Sequence, residues 1–164
     1  MTDAYKKMKK LIFLMMCLLA SMTAMADDDL QYDLESAGVS QSGMTLVKVS
    51  VYVKKPKKAT SELFKKAAVH GIIFRGVAES GVTGFSKQNA LAGPAAAQQH
   101  GDYFQAFFDD GGGFMSYATL VEGTTESVKV GKQYRITRVV NVNTDALKRT
   151  LKDAGVIRGM TDGF

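Results

Sequence analysis

The residues best suited to chemistry lie close together, at His100, Asp102 and Tyr103. A carboxylate can orient an imidazole and a nearby phenol can donate a proton, so a hydrolase or metal-dependent enzyme centred on His100 is one alternative. However, one histidine does not fill a zinc site, and neighbouring residues on a helix point in different directions. The sequence also lacks a paired-histidine motif, a nucleophile elbow and a glycine-rich phosphate loop. We therefore predict no catalytic residue, no metal site and no cofactor, and expect a protein that is not an enzyme.

Aromatic side chains crowd the same region. Four of the six residues from 103 to 108 are aromatic, namely Tyr103, Phe104, Phe107 and Phe108. Because aromatic rings give much contact area at low entropy cost, these residues and His100 form the predicted binding site, for a partner protein or, alternatively, a small molecule or lipid. The competing interpretation is that Phe104, Phe107 and Phe108 anchor a helix on a sheet.

The elements around this group can be read from local signals. Pro94 suits the first position of a helix, Gly101 interrupts it, and Asp102 can cap a short helix that ends at Phe108. A strand over 114–121, a second over 127–130 and the final strand should then form a β-meander. The segment 76–93 is long and irregular, which is typical of a binding surface.

The clearest pattern in the chain is a strand–helix–strand run over 134–157. The strand alternates apolar residues, Asn143 or Thr144 can cap the helix that follows, and Gly155 should end that helix before an extended Val156–Ile157. Inward-facing positions are predicted in the strand at Tyr134, Ile136, Val140 and Val142, and in the helix at Leu147, Leu151 and Ala154.

A second copy of this run is predicted upstream. Six residues match the first run at a constant offset of 84 positions: Thr60, Leu63, Lys65, Gly71, Ile72 and Ile73. The valine-rich strand 45–54, paired in a hairpin with a short strand over 30–35, then leads into a helix over 61–70. Gly71 should stop that helix before a buried strand, Ile72–Phe74. Chance similarity of two such helices is the alternative.

The first 26 residues have the pattern of an export signal. Four lysines precede the apolar run Leu11–Ala20, and Ala24-Met25-Ala26 supplies the small residues that a signal peptidase requires. The apolar run is short for a membrane span, so we predict cleavage after Ala26 and no stable membrane anchor after it. The protein is then exported, to the periplasm or the extracellular space.

Removing the signal changes the charge and cysteine content. The full chain has 21 basic and 16 acidic residues; the signal holds four and one of these, so residues 27–164 carry 17 and 15, a net charge of +2. Such a balance gives no case for nucleic-acid binding. The only cysteine, Cys17, lies in the signal, so the mature fold depends on burial alone.

Two sets of stretches resemble known proteins. The ending, from Gly131–Ile136 through Asn143–Arg149 to Ala154–Ile157, resembles the core module of small periplasmic proteins and lipoproteins of Gram-negative envelopes. Penicillin-binding-protein activators and the N-terminal domain of the Tol-system propeller protein belong to this type. The stretches 68–76, 91–93 and 117–121 are similar to small exported envelope proteins without an assigned function. The resemblance implies a docking domain in an envelope assembly, but Cys17 follows two methionines and departs from a lipoprotein signal.

Together these features predict an α+β fold. We expect a mainly antiparallel sheet of five to six strands with two to three helices on one face, built from two strand–helix–strand units. The domain should cover 27–158, after the signal 1–26 and before a mobile tail 159–164. The expected function is non-enzymatic binding or assembly in the cell envelope, with an envelope protein or a second copy as partner.

Overall fold

The computed structural model describes residues 30–38, 43–80 and 87–158. The predicted signal and the predicted tail therefore lie outside the described residues. Within them, the chain forms one antiparallel sheet of five strands together with four α-helices, which confirms the predicted α+β fold.

Along the chain, two strands are followed by three α-helices, and three further strands are followed by a fourth α-helix. The strands are β1 (Tyr32–Ser36), β2 (Met44–Val53), β3 (Ala118–Leu120), β4 (Glu126–Val130) and β5 (Gln133–Asn143). The helices are α1 (Ser61–Phe74), α2 (Pro94–Gln99), α3 (Gly101–Phe108) and α4 (Thr144–Asp153). Two short 3-10 helices, Pro56–Lys58 and Gly113–Tyr117, precede α1 and β3.

The two longest strands, β2 and β5, form the centre of the sheet. They pair over their shared length, from Met44 opposite Asn143 to Val53 opposite Tyr134, and β1 adds to the free side of β2. The strands β3 and β4 both pair with β5, one at each end of its other side. The predicted β-meander is therefore wrong, because β3 lies beside β5 and not beside β4.

One face of the sheet carries the core. Alternate residues of β2 are buried from Thr45 to Val53, as its valine pattern predicts, and the helices cover this face. α1 packs on β2, β3 and β5, while α4 packs on β2 and on the second 3-10 helix. Arg138 interrupts the apolar face of β5, and its guanidinium lies over the Phe64 ring of α1, 5.7 Å from the centroid.

α1 is longer than the sequence predicts. It continues to Phe74, so the expected stop at Gly71 and the expected strand Ile72–Phe74 are both wrong. The stop lies at Gly76, which has φ +79° and donates its N–H to the Gly71 carbonyl at 2.8 Å. Residues 71–74 are all buried, because α1 lies between the sheet and the aromatic side chains of α3. When the last turn of a helix is apolar on every side, its sequence shows no 3.6-residue alternation of apolar and polar residues. Such a short apolar run resembles a buried strand.

α4 begins and ends as predicted, but no strand follows it. The Asn143 Oδ1 atom accepts the Ala146 N–H at 3.0 Å. At the other end Gly155 has φ +69°, and the Val156 N–H reaches the Leu151 carbonyl at 2.9 Å, as in a Schellman motif. Val156 and Ile157 lie in the turn after the helix, so the predicted last strand is wrong. Leu151 is fully buried, as is Leu147, whereas the third predicted stripe residue, Ala154, is exposed.

The proposed sequence repeat is not a structural repeat beyond one strand and one helix. Gly71 lies inside α1, whereas Gly155, its counterpart at the offset of 84, follows the end of α4. Neither helix is followed by a strand where the match predicts one, at 72–74 and at 156–157.

Three local predictions around α2, α3 and β3 have mixed outcomes. Pro94 starts α2 as expected. However, α3 begins at Gly101 without a side-chain cap, so Asp102 lies in the first turn and is not the capping residue. The predicted strand 114–121 is a strand only at Ala118–Leu120, because Gly113–Tyr117 forms a 3-10 helix.

In the part of the chain that the structure describes, no helix has both the length and the apolar character needed to cross a membrane.

Candidate functional site

The predicted aromatic site lies mostly inside the core. Phe104, Phe107 and Phe108 are only 5%, 7% and 8% exposed. The Phe104 ring packs against Phe74 of α1 at 4.7 Å between centroids, in an edge-to-face arrangement. The Phe108 ring lies 5.9 Å from that of Phe114, which is fully buried in the second 3-10 helix. This burial supports a core role for the three phenylalanines, but Phe104 and Phe108 pack on Phe74 of α1, whereas the anchoring interpretation places the helix on the sheet.

Tyr103 lies at the margin of this cluster. It is partly buried and its ring stacks on Phe107, with 5.7 Å between centroids and 16° between planes. Its hydroxyl is buried and has no hydrogen-bond partner among the described residues. Burial raises the pKa of Tyr103, and the nearby Tyr117 hydroxyl adds to the effect. Tyr103 is therefore a neutral phenol at ordinary pH, and among the four aromatic residues from 103 to 108 it alone is only partly buried.

His100 joins α2 to α3 through its backbone. Its N–H donates to the Ala96 carbonyl at 2.9 Å, and its carbonyl accepts the Phe104 N–H at 3.0 Å. The Tyr103 hydroxyl makes no hydrogen bond to the imidazole or to any other described residue, and Asp102 is exposed. Among the described residues, no group of three or more His, Cys, Asp or Glu side chains is placed to hold a metal ion. The structure does not bring the predicted acid–base group together.

A different histidine, His70, makes the more specific contacts. His70 is the last residue of the predicted helix 61–70, but it lies within α1, where its Nδ1 atom is 2.7 Å from the Tyr32 hydroxyl of β1. Its ring also packs on Phe74, at 4.8 Å between centroids. The Arg75 guanidinium lies over the Tyr32 ring, 4.5 Å from the ring centroid. Burial raises the pKa of Tyr32 to about 12, and Arg75 opposes that rise. Only the four-residue spacing of His70 and Phe74 could have suggested this group from sequence.

A cleft with polar and apolar residues in its walls opens where β2 starts and α4 begins, and it is called the polar cleft after the polar side chains named next. Its volume is about 450 Å³, and Thr45, Gln88, Thr144 and Lys148 contribute to its walls. Two of these side chains are buried and hydrogen-bonded, since the Thr45 Oγ1 and Thr144 Oγ1 atoms lie 3.2 Å apart. Sequence reasoning missed the cleft, because its walls come from segments that are far apart in the chain.

On the face of the sheet away from the helices, polar side chains of neighbouring strands pair with one another. The Tyr52 hydroxyl donates to Asp33 Oδ2 at 2.7 Å, and Ser50 and Thr137 join their hydroxyls at 2.8 Å. The Lys48 Nζ atom lies 3.8 Å from Glu126 Oε2. These pairs suit a face that contacts water.

The most exposed part of the sheet is β4. All five of its residues are exposed, and Val128 and Val130 are each 49% exposed. Val128 pairs with Arg135, so both valines lie on the face away from the helices. The opposite edge of the sheet is different, because Ala78 bridges to Glu35 and the Ser36 N–H donates to the Ala78 carbonyl. Among the described residues, no element pairs with the outer side of β4.

Comparison of the chain with protein-family models, with curated proteins and with solved structures gave no match. The resemblance to envelope proteins therefore stays a prediction from the sequence.

Proposed function

We propose that this chain is an exported, non-enzymatic protein of the cell envelope that binds another protein or assembles with itself. One observation carries the proposal: β4 is an edge strand whose five residues are exposed and whose outer side pairs with no described strand. Edge strands of this kind are recurrent sites of protein pairing, because their free backbone groups give affinity and their side chains give specificity.

The exposed valines strengthen this proposal. Val128 and Val130 are the large apolar side chains with the greatest exposure in the described residues. They lie two positions apart and so project from the same face of one strand. An apolar pair beside free backbone hydrogen-bonding groups is the combination that an added strand can cover.

The export part of the proposal rests on the signal-like residues 1–26. The test is expression of the full chain with its own leader in a Gram-negative host, followed by fractionation and mass spectrometry of the product. We expect a chain that starts at Asp27 in the periplasmic fraction. A full-length chain that stays in the cytoplasm would contradict export.

The binding part is tested in the same cells by photo-cross-linking. A photoreactive residue replaces Val128, and a matched control carries it at Lys152, an exposed residue of α4. We expect a protein adduct from position 128 that position 152 does not give. Equal or absent adducts at the two positions would argue against a binding role for β4.

A second candidate function is small-molecule binding, which the polar cleft favours. A volume of about 450 Å³ is within the range of ligand pockets, and Lys148 supplies a charged group at its wall. Native mass spectrometry of protein purified without denaturation should then show a mass increment that Lys148→Ala loses. Lys152→Ala, on the same helix but outside the cleft, is the control and should keep the increment.

A further inference from the structure

The backbone groups of β4 that face outward can be assigned from the neighbouring strand. The Val121 N–H donates to the Val139 carbonyl at 2.9 Å, and the Val139 N–H donates to Thr124 Oγ1 at 3.0 Å. Both polar groups of Val139 therefore point toward the edge that β3 and β4 share.

Every second residue of a strand directs its backbone groups to the same side. Arg135 lies four positions before Val139, so its backbone N–H and carbonyl also point toward β4. Its partner there is Val128. The backbone groups of Val128 are consequently used within the chain. Those of its neighbours, Ser127 and Lys129, point outward and have no strand beside them among the described residues.

β4 lacks two of the features that often protect an edge, a bulge and a proline. Its five residues pair one-to-one with β5, so the strand contains no bulge, and it has no proline. Lys129 is the one charged residue in the middle of the strand. Its side chain lies on the same face as Ser127, because it is two residues away.

The strand is complementary to itself in one register. When two copies lie antiparallel with a two-fold axis through Val128, Ser127 faces Lys129 of the other copy on both sides of the axis. These are the residues with free backbone groups, so the two pairs can form four hydrogen bonds. Val128 meets its own copy, and Glu126 lies opposite Val130.

The neighbouring registers are less favourable. An axis through Lys129 places that lysine against its own copy, and directly opposed like charges destabilise a strand pair. An axis through Ser127 pairs all five residues only if the strand extends back to Thr125 and Thr124, which then face Lys129 and Val130. However, Thr124 donates its hydroxyl to the Val121 carbonyl and accepts the Val139 N–H, which keeps it in the turn.

We propose that two copies of this chain pair antiparallel along β4 with the two-fold axis at Val128, so that one sheet continues through both molecules. This inference rests on the proposed function and names its partner as a second copy. Pairing of two five-residue strands gives a small interface, so we expect a reversible dimer with a dissociation constant in the micromolar range.

Two matched substitutions test the register. Val128 and Val130 have the same exposure and lie on the same face of the same strand. Val128→Lys places two like charges at the axis and should raise the dimer dissociation constant by about tenfold or more. Val130→Lys places its charge opposite Glu126 of the other copy, so the dimer should remain. The measurement is analytical ultracentrifugation over a concentration series, with circular dichroism to establish that each variant is folded.

A covalent version of the test does not depend on affinity. Residues at the axis form a non-hydrogen-bonded pair with Cα atoms about 4.5 Å apart, within the range of about 4.4–6.8 Å that a disulfide spans. In a Cys17→Ser background, Val128→Cys should therefore give a disulfide-linked dimer under mild oxidation. Val130→Cys should not, since the two copies of residue 130 lie about 13 Å or more apart in this register.

The outcomes separate this inference from the proposed function. A wild-type chain that stays monomeric at high micromolar concentration, with no Val128→Cys cross-link, overturns the dimer. Equal loss of dimer in Val128→Lys and Val130→Lys, or a stronger cross-link from Val130→Cys, overturns the register. If the dimer fails but the photo-cross-link at position 128 captures a different protein in cells, the proposed function stands. If neither is found, both fail.

Discussion

Gly71 has a role that its residue type alone does not reveal. It lies within α1 with helical backbone angles, and a Cβ atom added there would lie 2.7 Å from Leu34 Cδ2 and 3.1 Å from Tyr32 Cε2. The Tyr32 ring has little freedom to move, since His70 binds its hydroxyl and Arg75 lies over its face. The glycine is therefore required for the close approach of β1 to α1.

Gly71→Ala should destabilise the fold. Alanine improves helix propensity by about 1 kcal/mol, but overpacking against Leu34 and Tyr32 costs about 1–3 kcal/mol, so the net effect should be a loss. Gly101→Ala is the control, because a Cβ at this α3 glycine meets nothing within 4 Å. Urea unfolding should show a lower free energy of unfolding for Gly71→Ala and an unchanged or higher one for Gly101→Ala. Equal values would disprove the close-approach role.

Tyr32 should make the stability of the fold depend on pH at the alkaline end. Burial raises the pKa of Tyr32 to about 12, whereas an unfolded tyrosine has a pKa of about 10. Below the lower value both states hold the proton. Between the two values only the folded state holds it, so the free energy of unfolding falls as the pH rises, by at most about 3 kcal/mol.

The measurement compares wild type with Tyr32→Phe by urea unfolding at about pH 9 and about pH 11.5. The variant loses the hydrogen bond to His70 at both pH values, so it should be less stable at the lower pH. From the lower to the higher pH, the free energy of unfolding should fall more for wild type than for Tyr32→Phe. A parallel decline of the two proteins would mean that Tyr32 has no raised pKa in the folded state.

At the scale of elements, two helices end at glycines with positive φ, in different surroundings. Gly155 ends α4 at the surface, where an added Cβ would meet nothing within 4 Å. Gly76 ends α1 beneath the segment around Gln88, and a Cβ there would lie 2.9 Å from the Ala90 nitrogen and closer still to the Gln88 carbonyl oxygen. The last carbonyls of α1 are also bound by that segment, because Leu91 and Ala92 donate to Ile72 and Ile73.

This contrast predicts two different costs for the same substitution. Gly155→Ala pays only for the left-handed backbone, about 1–2 kcal/mol. Gly76→Ala also forces the backbone at Gln88 to move, so its cost should exceed about 3 kcal/mol. Chemical denaturation of both variants measures the difference. If Gly76→Ala cost no more than Gly155→Ala, the segment at 88–90 would not be fixed against α1.

At the scale of the whole molecule, the described residues form a single core with α1 at its centre. Phe64 of α1 is fully buried against the sheet side, while Phe74 at its other end packs on Phe104 and Phe108 of α3. Phe114 is also fully buried and lies against Phe108. The aromatic layer thus covers α1 on the side away from the sheet.

A single core predicts cooperative unfolding. Tyrosine fluorescence and far-ultraviolet circular dichroism should give the same transition in urea, because no part of the described chain has a separate core. Phe114→Ala should lower the free energy of unfolding by about 3–5 kcal/mol in that one transition. Two separate transitions would indicate that the aromatic layer and the sheet unfold independently.

Local patterns determined the parts of this fold that depend on residues near one another in sequence. The alternation of β2 and β5, a cap at Asn143 or Thr144 and the stop at Gly155 can each be predicted from a few consecutive residues. Their physical causes, which are strand periodicity, capping hydrogen bonds and the backbone freedom of glycine, act over the same short distances. The α+β class follows from them.

Only the tertiary structure decided the rest. Gly71 could end a helix or could lie inside one where a strand packs closely, and the positions of Leu34 and Tyr32 decide between these roles. Phe104 could face a ligand or the core, and its contact with Phe74 places it in the core. The polar cleft likewise requires Thr45 and Thr144, far apart in the chain, to lie in contact. The free edge at β4 is of the same kind, because an edge strand is defined by what the remainder of the chain leaves uncovered. A contact between residues that are distant in sequence leaves no pattern near either residue, because it depends on the identity and position of both.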